Sequence, residues 1–174
     1  MRGGLMQRYL CALSLAASVA GASAVCAADD WKTYSNDRYG TTIDYPSTFQ
    51  MQPAPTDDDG RTFKSADGAS FSVSASYNAL NFNLATYREF VIKNEPESAA
   101  VTYQAQGIDW FVLSGSDGNN IFYERHLLSH ERQMTEDFNM SYPASLKEAY
   151  DPIVARMGKS FRSGSGFQTS KGKN

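Results

Sequence analysis

The chain has 174 residues, 16 Lys and Arg against 19 Asp and Glu, and a formal net charge of −3. That acidic balance argues against nucleic acid or an anionic membrane surface as the main partner, because both are held by a basic face. Both cysteines, Cys11 and Cys26, fall in an amino-terminal segment that reads as a removable signal, so no disulfide and no thiol chemistry is expected of the mature domain.

Residues 1–28 carry that signal. Arg2 and Arg8 form a positive start, and Tyr9 to Ala24 is an apolar, Ala-rich stretch too short for a spanning helix. Small residues follow, with cleavage expected after Ala24, Ala27 or Ala28. Cys26 follows Val25, which does not fit a lipoprotein signal. No other long apolar run exists, so the mature chain is expected to be soluble and periplasmic or secreted. About 145 residues suffice for a single packed core. The expected organisation is a signal over residues 1–28, one domain over residues 29–163 and a flexible Gly/Ser/Lys-rich tail over residues 164–174.

Asn36-Asp37 predicts a turn and Tyr39 to Tyr45 a strand, which Pro46 ends because proline cannot donate to a sheet ladder. Met51 to Gly60 reads as a loop, with two prolines and the run Asp57-Asp58-Asp59-Gly60. Arg61 to Ala66 and Ala69 to Tyr77 are predicted strands joined at Asp67-Gly68. On the second, Phe71, Val73 and Ala75 share one face, opposite Ser70, Ser72, Ser74 and Ser76.

Leu84 to Glu95 is the first predicted helix, stopped by Pro96. Ala99 to Gln106 is a strand leading into Gly107 to His130, around which the rest of the chain is arranged. There two runs of β-formers flank a turn at Asp117-Gly118, predicting a β-hairpin. Apolar residues on both faces of both strands place it inside a sheet covered on both sides. Asp137 to Tyr142 is the last strand. A final helix is predicted with Asp151 as N-cap and Pro152 first, its stripe being Ile153, Val154, Met157 and Phe161. Leu146, Ala149 and Tyr150 extend the same stripe backwards.

In order along the chain stand Tyr34, Asn36, Arg38-Tyr39-Gly40, Ile43 and Tyr45-Pro46, then Asp59-Gly60 with Phe63. Gly107 and Trp110 to Gly115, Tyr142-Pro143, Tyr150 to Val154 and Ser160-Phe161 follow. With these motifs the chain resembles the Mog1/PsbP-like superfamily, in its exported bacterial branch. The resemblance implies an α+β fold, a largely antiparallel sheet sandwiched by helices. Members serve as accessory subunits of a photosynthetic complex, as partners of a small GTPase, or as envelope proteins of unknown role. It supplies no catalytic residue to carry over, and fold alone does not fix function.

The residues offer few convergent sets. Glu124 and His126 share a strand face and His130 lies just past the strand end, a set from which a divalent metal site can be drawn. The acidic run before Gly60 lacks the Glu that closes a calcium loop, since position 66 is Ala66. Ser114-Gly115-Ser116-Asp117-Gly118 is not a nucleophile elbow, because strands flank it on both sides. Trp31, Tyr34, Tyr77 and Phe82 sit at element ends and loops, where an aromatic can anchor a partner. The expectation is therefore a non-enzymatic exported binding or accessory domain, without cofactor, for an envelope protein. The alternatives are a small-molecule or lipid binder with a pocket between sheet and helix, or a metal-dependent hydrolase using Glu124, His126 and His130.

Overall fold

A computed structural model describes residues 30–164; the signal segment and nearly all of the predicted tail lie outside them. The first element is a ribbon of β1 (Trp31–Ser35) and β2 (Thr42–Pro46), paired from Trp31↔Pro46 to Ser35↔Thr42. The single strand expected over Tyr39–Tyr45 is thus shorter, and a partner precedes it. Asn36 explains the difference: its Oδ1 accepts from the amides of Arg38 and Tyr39, each at 2.9 Å. Those residues are spent on the turn, and Gly40 completes it at φ 78°, a conformation that favours glycine.

A seven-stranded antiparallel sheet follows, in the order β3-β4-β5-β9-β8-β7-β6. Its strands are β3 (Gln50–Met51), β4 (Gly60–Lys64), β5 (Ser70–Tyr77), β6 (Ala99–Gln106), β7 (Trp110–Asp117), β8 (Asn120–Ser129) and β9 (Met134–Pro143). The predicted loop from Met51 therefore begins inside a short strand. The hairpin around Asp117-Gly118 is β7 and β8, with Gly118 at φ 58° and Asp117 opposite Asn120. It lies inside the sheet, but the middle strand is β9, longer at both ends than the predicted Asp137–Tyr142 because it pairs with β8 from Ser129↔Met134 to Asn120↔Pro143.

Helices cover the two sides of the sheet, giving the α+β sandwich. On one side α2 (Lys147–Ser160) and the β1–β2 ribbon bury Ile43, Phe63, Phe71, Phe138 and Met157. Phe63 and Phe71 stack there with centroids 4.4 Å apart. Thr41 closes the ribbon onto β9 by donating to Glu136 at 2.6 Å, and Ser129 donates to the same buried carboxylate. On the other side α1 (Leu84–Asn94) lays Tyr87 over Phe111, Leu113, Phe122 and Leu128. Asn83 caps α1 through Thr86 in a reciprocal pair, an N-terminal signal next to the predicted start.

The start of α2 corrects the sequence reading. Asp151 is not its N-cap: the helix begins at Lys147 after a 3-10 turn over Ala144–Leu146, and Pro152 lies inside it. The reason is Tyr150, which stacks on Tyr142 at 5.0 Å and donates to the Asp67 carboxylate at 2.8 Å. Those contacts hold a helical turn ahead of the proline, whose missing N–H costs one backbone bond.

Candidate functional site

The structure separates the four aromatic candidates into two pairs. Trp31 carries the Arg156 guanidinium 3.9 Å above its ring, and Tyr34 is buried edge-on to Phe63. Both belong to the ribbon side. Tyr77 and Phe82, in contrast, meet around one cavity of about 260 Å³ on the α1 side, with Leu80, Tyr87, Phe90 and Asp137.

Asn78 builds the rim of that cavity. Its Nδ2 donates to the carbonyls of Phe82 at 2.9 Å and Arg132 at 2.8 Å, while its Oδ1 accepts from the Phe82 amide. One side chain therefore ties the loop after β5 to the turn between β8 and β9. Three consecutive residues of that turn, His130, Glu131 and Arg132, are left-handed, with φ of 49°, 55° and 69°. Non-glycine residues hold such angles only where their surroundings impose them. The rim exposes apolar surface, Leu80 at 68%, Tyr77 at 53% and Phe90 at 45%. Phe82 stacks on Tyr87 at 5.4 Å and meets Phe90 at a tilt, with centroids 5.1 Å apart.

Below the rim runs a polar row centred on the buried His126, flanked by partly buried carboxylates. His126 Nδ1 lies 2.7 Å from Asp137 Oδ1 and its Nε2 lies 3.3 Å from Glu124 Oε2. The Tyr87 hydroxyl donates to the same Asp137 oxygen, and Phe111 stacks on the imidazole at 4.5 Å. Burial by itself would lower the His126 pKa, but the bonds and charges of Asp137 and Glu124 outweigh it and push the imidazole up to about 9. Burial and the adjacent Asp137 charge hold Tyr87 far above its ordinary value. Glu95, at the end of α1, is raised to about 7 by burial and then by its contact with Glu124.

His126 and Glu124 are thus brought together, and Asp137 joins them because the register sets it opposite His126. His130 is not part of the row. It lies four residues on, roughly 13 Å along an extended chain, and its Nε2 sits 2.9 Å from Ser163 Oγ. Among the described residues no three His, Cys, Asp or Glu side chains form a metal-holding group. With both ring nitrogens engaged inside the protein, His126 acts as a cationic clasp between two carboxylates beneath α1. Sequence reasoning missed Asn78, Leu80, Tyr87, Glu95 and Asp137 as site residues. The Asn78-to-Asn83 stretch, rich in turn formers just before a helix, was a usable signal for the rim; the His126–Asp137 pairing needed the register.

No family model and no curated protein sequence matches this chain. Solved structures do. The PsbP of the cyanobacterium Synechocystis sp. PCC 6803 superposes with a TM-score of 0.56 at 15% identity, over 76% of this chain and 92% of that one. The Ran-binding protein Mog1p of Saccharomyces cerevisiae does so with a TM-score of 0.53 at 12% identity, over 77% and 95%. The chain therefore has the Mog1/PsbP-like fold. At these identities the likeness speaks for the fold alone. Among the described residues no helix is long and apolar enough to cross a membrane.

Proposed function

We propose that the chain is a non-enzymatic binding domain, exported to the cell envelope by residues 1–28, that docks a protein partner on the rim of Tyr77, Leu80, Phe82 and Phe90. The observation that carries this reading is the concentration of exposed apolar side chains, Tyr77 at the end of β5, Leu80 on the following loop and Phe90 on α1, around one cavity whose rim loop is fastened by Asn78. Single exposed apolar residues are ordinary on a protein surface; a cluster around a recess marks a place for a partner's apolar side chain. A binding role also fits the fold, since Mog1p, a Ran-binding protein, shares it.

The test is affinity capture from periplasmic extract with the wild-type domain and Leu80→Asp. At 68% exposure Leu80 contributes little to stability, so the variant should melt like wild type. A protein enriched on wild type and lost on Leu80→Asp supports the reading; equal recovery on both refutes the rim. Mass spectrometry of the periplasmic protein tests export separately. A mature start after Ala24, Ala27 or Ala28 supports it, and retention of residues 1–28 overturns it.

A further inference from the structure

A cavity of about 530 Å³ lies on the opposite side, between α2 and strands β6 to β9. That volume falls in the roughly 300–1,000 Å³ range of small-molecule sites. Its walls carry Tyr103, Tyr123 and Tyr142, with Ser114 on the floor and Lys147 and Asp151 along the helix. Tyr103 stands at the mouth, 57% exposed, whereas Tyr142 is buried with its hydroxyl 3.5 Å from Asp151. Lys147 Nζ lies 2.6 Å from Asp151 Oδ2, so the two charged groups that line the cleft are each other's partners. The cleft therefore has no net charge to attract an ion. An acyl chain laid in it would pack on Ile121 and Val154 but would leave the half-exposed Lys147–Asp151 pair and the tyrosine hydroxyls around it without a hydrogen-bonding partner. A sugar ring meets both demands: its C–H face packs on a tyrosine ring, and its hydroxyls bond with the ion pair and donate to Ser114 Oγ, whose own proton is held by the Phe122 carbonyl at 2.7 Å.

We infer that this cleft binds a neutral saccharide, with Tyr103 as the stacking platform at its mouth. The inference stands apart from the rim, which lies across the sheet.

The probes are maltose, cellobiose and N,N′-diacetylchitobiose at millimolar concentration, with dodecanoate as the apolar competitor, read by amide shifts in NMR spectra. The expected result is that one disaccharide moves the amides of Thr102, Gly115 and Ser116. Tyr103→Ala should weaken that binding about tenfold at unchanged melting temperature, Tyr103→Phe should restore it, and Leu80→Asp should leave it intact. The inference is overturned if no disaccharide moves these amides, if Tyr103→Ala binds as tightly as wild type, or if dodecanoate alone occupies the cleft.

Discussion

Raising the pH should loosen the protein through His126. The imidazole is 5% exposed at its side chain and held between Asp137 and Glu124, which lifts it from 6.5 to about 9. A group whose pKa is higher in the folded state stabilises fully below its unfolded value and loses that contribution as pH climbs through the folded one. The window is thus from about 6.5 to about 9, and at 1.36 kcal/mol per pKa unit the loss is about 3 kcal/mol. Glu95, lifted from 4.5 to about 7 by burial and Glu124, acts in the same direction over a lower window. The assay is urea unfolding at a series of pH values, where the midpoint should fall by roughly 1–3 M between pH 6.5 and 9. In His126→Gln the fall above pH 7 should vanish, while the part due to Glu95 remains. A wild-type stability that is flat or rising from pH 6.5 to 9, or an identical fall in His126→Gln, refutes the clasp.

Phe71→Ala should cost about 3–5 kcal/mol, because the ring stacks on Phe63 at 4.4 Å and also meets Phe49 and Phe138. Calorimetry should show a melting temperature lower by roughly 10–20 °C. Gly115→Ala should detach β6 from β7, since the new methyl would sit 1.9 Å from the Ala100 carbonyl oxygen. Faster amide exchange in β6, with β8–β9 protection retained, would show this. Asn83→Ala removes the acceptor for the Thr86 amide at 3.0 Å and should cost about 1 kcal/mol in denaturant unfolding.

Local chemistry determined what the sequence shows. Pro96 and Pro143 punctuate the chain whatever surrounds them, so α1 and the last strand were readable to within a few residues. The apolar residues on both faces of Trp110–Asp117 and Asn120–Ser129 announced an interior hairpin, and the ordered motifs announced the fold. Tertiary contacts decided the rest. The stripe through Leu146 and Tyr150 competed with the Asp151-Pro152 start signal, and the Tyr150 contacts with Tyr142 and Asp67 settled it for an earlier helix. Trp31–Ser35 became a strand only because Thr42–Pro46 was available to pair with it. Glu124 and His126 were legible as neighbours, for a two-residue spacing on a strand fixes a shared face. Asp137, Tyr87 and Glu95 arrive from two other elements, and no spacing along the chain encodes that meeting. Register between β8 and β9 and the placement of α1 over the sheet assemble the row. A side chain's face is a local property of the backbone; its partners across the sheet are a property of the whole fold.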